Sequence, residues 1–104
     1  MKIRIAKQSL RFRLSPRDFA TLTEANELQE VLQTGPQTQI VFRLQIAEQA
    51  PSRPLQQDGP HVNLTVARSA WKLWAEGADI EWTWQLQNPD LLLMIEKDLK
   101  PSRS

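Results

Sequence analysis

Residues 10–19 read Leu10-Arg11-Phe12-Arg13-Leu14-Ser15-Pro16-Arg17-Asp18-Phe19. Apolar and basic residues alternate over the first five, so this segment is a half-buried strand with Leu10, Phe12 and Leu14 on its inner face. Ser15 then offers a capping hydroxyl, Pro16 suits the first helical position, and Asp18 falls in the first turn, where the helix dipole favours an anion. Phe19 and Leu22 begin a helical apolar stripe, and polar Asn26 stands where it would continue. The pattern predicts a short helix of about ten residues, ending near Ala25. Shifted by 52 residues, the chain overlays itself in residue type. Leu10, Phe12 and Leu14 fall on Val62, Leu64 and Val66; Phe19 falls on Trp71, Leu22 on Trp74 and Glu24 on Glu76. The turn at Gly35-Pro36 meets the one at Asn88-Pro89 after a slip of one. Each half reads strand, short helix, strand, turn, strand. A unit this small cannot bury its faces alone and needs the other copy, which predicts a pseudo-twofold core.

Working outward, residues 2–6 alternate Lys2, Ile3, Arg4 and Ile5 and form an additional N-terminal strand. Strands are expected over 28–33 and 39–46, the latter with Ile40, Phe42, Leu44 and Ile46 on one face. Residues 48–60, rich in proline and glutamine, read as a long mobile loop. Trp71 and Trp74 lie on a second helix stopped by Gly77. Ile80, Trp82, Trp84 and Leu86 alternate as a strand, 91–95 is the last strand, and 101–104 is a fraying tail. The expected architecture is a single α+β domain over 1–104. It is an antiparallel sheet or small barrel from two pseudo-repeats, about 10–46 and 62–98, plus the N-terminal strand.

Composition narrows the chemistry. The 104 residues include no cysteine, no tyrosine and one histidine, His61. Disulfides, thiolate metal sites and multi-histidine centres are excluded within one chain, and no cofactor is implied. His61 has Asp58 three residues before it but no visible nucleophile, and the expectation is that the protein is not an enzyme. Gly35, Gly59 and Gly77 are isolated turn residues and form no phosphate-cradling loop. Glu76, Asp79 and Glu81 lack calcium-loop spacing, so no metal site is expected. No segment reaches the roughly 18 apolar residues of a membrane helix, and the opening lacks a leader's apolar stretch. A cytoplasmic protein without a membrane partner is expected.

The net charge of +1 conceals an asymmetry. Residues 1–17 carry Lys2, Arg4, Lys7, Arg11, Arg13 and Arg17 and no acid, while all twelve acids lie beyond. Lys2, Arg4, Arg11 and Arg13 share a face if the two N-terminal strands pair, and arginine forks hold phosphates bidentately. These four are the candidate anion-binding residues, for nucleic acid or another polyanion. The competing reading pairs them with Glu81, Glu96 or Asp98 across one sheet. All four tryptophans lie between 71 and 84. Core packing accounts for them; the alternative is a ring-stacking platform at Trp82 and Trp84.

Two resemblances bear on function. The opening Met1-Lys2-Ile3-Arg4-Ile5 with Ser9-Leu10-Arg11-Phe12-Arg13-Leu14, and the close Ile95-Glu96-Lys97-Asp98-Leu99-Lys100, are similar to a family of short, uncharacterised bacterial proteins. That family brings no known activity. Each half also resembles the swapped-hairpin unit of AbrB- and MazE-type regulators and antitoxins. There a strand leads through a proline-started helix into a hairpin, as at Leu14-Ser15-Pro16 and at Trp74-Ala75-Glu76-Gly77-Ala78-Asp79-Ile80-Glu81. The second copy has Arg68 in place of Pro16. This resemblance implies DNA binding, with both halves held in one chain. The function expected is a small non-enzymatic binding or regulatory module, with a structural protein acting through a protein partner as the alternative.

Overall fold

The structure is a computed structural model and describes residues 1–98; the expected tail at 101–104 lies outside the described residues. Its elements are β1 (Lys2–Ala6), β2 (Ser9–Leu14), α1 (Pro16–Ala25), β3 (Glu27–Gly35), β4 (Thr38–Ala47), β5 (Leu55–Asp58), β6 (His61–Ala67), α2 (Arg68–Glu76), β7 (Glu81–Leu86) and β8 (Leu91–Lys97). The strands form two four-stranded sheets, ordered β1-β2-β8-β7 and β3-β4-β6-β5. Exchanging the two halves of the chain turns one order into the other. Each half gives its first hairpin to one sheet, crosses by a helix, and gives its second hairpin to the other sheet.

The α+β class and the two units stand, with two corrections. They are two separate sheets, not a barrel, and each is mixed, because the strand entering each helix lies parallel to the last strand of the other half. These central pairs are β2 with β8 and β4 with β6. The stretch 48–60 is not wholly loop: β5 pairs antiparallel with β6. The N-terminal strand therefore has a counterpart, and the repeated unit is hairpin–helix–hairpin.

Register makes the correspondence specific. Ile3 opposes Phe12 and Leu55 opposes Leu64; Phe12 lies beside Ile95 and Leu64 beside Leu44. Both first hairpins turn through a left-handed residue, Lys7 at φ 53° and Gly59 at φ 56°. The backbone bond from Leu92 N–H to Gln8 O matches that from Val41 N–H to Pro60 O, each 2.9 Å. Leu10, Phe12, Leu14, Leu44, Leu64, Val66, Leu93 and Ile95 are buried in one core contributed by both halves.

The helices differ at their starts. Ser15 and Asp18 make a reciprocal capping box on α1, and the amino group of Met1 donates to Asp18 Oδ1 at 2.9 Å. Ala67 gives α2 no side-chain cap, and Arg68 places a cation near the positive end of the dipole. Glu48 Oε1, 2.8 Å from Arg68 Nε, balances that charge, and Asn26 Oδ1 accepts from the same guanidinium at 3.0 Å. Both helices meet through aromatic rings. Phe19 stacks on Trp71 and Trp74 at 5.3 and 5.8 Å between centroids. Leu22, Trp71 and Trp74 are buried, Phe19 is half-buried, and Lys97 Nζ lies 4.9 Å over the Trp74 ring.

Two outcomes are expected. Trp74→Ala should lower stability by about 3–5 kcal/mol in chemical denaturation, since the ring joins both helices to the sheet below; a loss under about 1 kcal/mol would contradict that packing. Partial burial raises the Asp18 carboxyl, but the Ser15 N–H, the Met1 amino group and the Ser15 hydroxyl outweigh it and hold its pKa below the ordinary 3.8. A lowered carboxyl stabilises the fold above its unfolded value and loses that contribution as pH falls through the folded one. Asp18→Asn should therefore be the less stable protein near neutrality, with the difference shrinking below pH 3.8 in acid denaturation curves.

Candidate functional site

The β1–β2 hairpin puts Lys2 opposite Arg13 and Arg4 opposite Arg11. Ile3 and Ile5 occupy the intervening positions, so all four candidate cations share one face. The next strand brings Glu96 beside Arg13 and Met94 beside Arg11, and β7 follows with Glu81 and Thr83. The outer face thus carries a row Lys2, Arg13, Glu96, Glu81 and a row Arg4, Arg11, Met94, Thr83. Arg13 Nε donates to Glu96 Oε1 at 3.1 Å. Of the three acids considered as partners, Glu96 reaches the cluster. Among the described residues, no carboxylate lies within ion-pair distance of Lys2, Arg4 or Arg11. Lys2 and Arg4 are exposed and Arg11 is half-buried.

The same positions in the other half are neutral. Pro54, Gln56, Asn63 and Thr65 stand where Lys2, Arg4, Arg11 and Arg13 do, and Gln45 stands for Glu96. Thr65 Oγ1 even donates to Gln45 Oε1 at 3.4 Å, a neutral version of the Arg13–Glu96 contact. The four cations at these positions belong to one copy only. That sheet's polar ladder is organised otherwise, around Arg43, whose Nη atoms donate to Asn63 and Gln29 and whose Nε lies 3.0 Å from Glu27, without the alignment of a hydrogen bond.

Beside the basic face a cleft of about 520 Å³ opens between the edge strands β1 and β3. Lys2 and Arg4 line one wall and Glu30 and Leu32 the other, and Phe42, opposite Glu30 on β4, also lines it. Register alone could not reveal it, because its two walls belong to different sheets.

Trp82 and Trp84 are half-buried, 4.7 Å apart, and Trp82 lies 5.8 Å from Trp74. They extend the aromatic chain that begins at Phe19 and pack against the core. Asp58 and His61 oppose each other across the β5–β6 turn. The Nδ1 atom of His61 is buried without a hydrogen-bond partner. Among the described residues, no group of three or more His, Asp or Glu could hold a metal ion. Nor is any helix among the described residues long and apolar enough to cross a membrane.

The chain belongs to a family of unknown function (DUF7009), whose model matches residues 1–102. No curated protein and no solved structure matches it. The likeness to AbrB- and MazE-type regulators accordingly rests on the strand–helix–hairpin pattern alone.

The two arginines of the hairpin should behave differently. Arg13→Ala leaves buried Glu96 without its guanidinium and should cost about 1–3 kcal/mol in denaturant unfolding. Arg11→Ala breaks no ion pair and should stay within about 0.5 kcal/mol of the parent. Equal effects would contradict the assignment of the ion pair.

Proposed function

We propose that this chain is a non-enzymatic binding module that holds a polyanion, nucleic acid foremost, against the outer face of β1 and β2. The observation that carries the reading is the trio of Lys2, Arg4 and Arg11 on one face, with no carboxylate in ion-pair distance among the described residues, where the other half has Pro54, Gln56 and Asn63. The row of Arg4 and Arg11 continues into Met94 and Thr83 and holds no acid to balance it, whereas the row of Lys2 and Arg13 continues into Glu96 and Glu81. Two guanidinium groups directly opposed across a hairpin repel each other, and a phosphate between them relieves that repulsion while accepting from both. The hairpin exchange between halves supports the link with the swapped-hairpin regulators and makes duplex DNA the natural first probe. The absence of cysteine fits the reducing cytoplasm.

Because Arg13 is already occupied, three cations remain for phosphates. Each neutralised phosphate contributes about 0.9 to the log–log salt slope, so the slope on duplex DNA should be roughly −2.7. Arg4→Ala with Arg11→Ala should reduce its magnitude by about 1.8. With no base-reading element on this face, affinity should vary little with sequence. Fluorescence titration of labelled duplex at several salt concentrations measures all three quantities. No binding at low salt, or binding indifferent to the double substitution, would overturn the reading in favour of a protein partner.

A further inference from the structure

We infer that the cleft between β1 and β3 is closed by a second copy of this chain, so that the protein is a twofold dimer in solution. The first ground is where the apolar surface lies. Five large hydrophobic residues are exposed among the described residues, and three of them, Ile5 at 65%, Val31 at 44% and Leu32 at 54%, line this one cleft. Scattered single apolar residues are ordinary on a protein surface, but a cluster between two strand edges marks a contact. Among the described residues, β1 pairs only with β2 and β3 only with β4, so each wall is a sheet edge with one row of backbone donors and acceptors outside the ladder.

The second ground is the fold's own internal comparison. Leu32 opposes Ile40 and Leu86 opposes Leu91, and these are equivalent places in the two halves. Leu86 is 9% exposed against 54% for Leu32. Trp82 and Trp84 stand where the first half has Leu28 and Glu30. One half thus carries indoles packed against the core where the other carries Leu28 and Glu30, and Leu32 stays exposed in the open cleft.

The third ground selects the occupant. The β1 wall carries Lys2 and Arg4, and the β3 wall carries Glu30, which has no ion-pair partner among the described residues. An isologous contact turns a surface onto itself, so the cationic wall of each copy meets the acidic wall of the other. Carrying both signs on opposite walls makes the cleft complementary to itself. One Glu30 pairing per wall leaves two of the three unpartnered cations for a polyanion, so the salt slope of roughly −2.7 for the single chain becomes roughly −1.8 per chain in the dimer; the inference does not depend on that function.

Sedimentation velocity on the intact protein tests it. A dimer with Kd at or below about 10 µM is expected. Leu32→Asp should weaken association at least about tenfold, and Ile5→Asp likewise. Both sites are solvent-exposed in the single chain, so the circular dichroism of each variant should match the parent, and its Tm should match that of the parent diluted below its Kd. Glu30→Lys should weaken the dimer without touching the apolar floor. A parent that stays monomeric at about 100 µM overturns the inference. So does a dimer that survives all three substitutions, or a monomer that binds a different protein through Leu32. Loss of DNA binding in Arg4→Ala with Arg11→Ala, with Leu32→Asp still binding, would separate this contact from the anion site.

Discussion

The two parallel pairings, β2 with β8 and β4 with β6, are the contacts on which the rest of the structure depends. Neither can form within one half of the chain. β2 begins at Ser9 and its neighbour β8 begins at Leu91, so the first sheet closes only when both ends of the chain are in place. The core follows from that constraint. Phe12 and Ile95 lie side by side in one sheet, Leu64 and Leu44 in the other, and each buried layer mixes residues of both halves. Helix packing follows as well, because Phe19 of one crossover meets Trp71 and Trp74 of the other. Contacts of such long sequence separation require loop closure before they stabilise anything, which favours slow, all-or-none folding.

A duplicated fold also supplies its own control, since each surface can be compared with its mate. Where the halves agree, in the alternating apolar positions and the left-handed turns at Lys7 and Gly59, the cause is architecture. Function has room where they disagree. Lys2, Arg4, Arg11 and Arg13 oppose Pro54, Gln56, Asn63 and Thr65; exposed Leu32 opposes buried Leu86. Both departures lie on the hairpins of the first half and adjoin each other at β1. The departures on the other side, Trp82, Trp84 and Arg68 with Glu48, cover surface or balance charge within the chain.

Much of this was legible from local chemistry. The capping box at Ser15 and Asp18, the helix end at Asn26 and the alternation in β2, β4, β6 and β7 are encoded within a few residues of where they act. The common face of the four cations could be read because a hairpin fixes register locally. β5 was hidden because Leu55-Gln56-Gln57-Asp58 has one apolar residue and sits among prolines, and it pairs as an edge. Its only signal is the offset that carries Ile3 onto Leu55. Which acid would take Arg13 depended on a parallel register between strands more than seventy residues apart, and Glu81, Glu96 and Asp98 were equal until that register was known. The cleft was invisible for the same reason. Ile5 and Leu32 each look like an ordinary strand residue until two sheet edges are set side by side.

The central claim, that neither half has a core of its own, is tested most directly by cutting the chain between β4 and β5. Residues 1–50 and 51–104 would be prepared separately and followed by circular dichroism and amide NMR, alone and mixed. The account predicts that neither fragment folds as a monomer and that mixing restores the native amide spectrum as a one-to-one complex. A fragment that unfolds cooperatively as a folded monomer would contradict it, because that half would then have buried its strands without the partner on which both sheets rely.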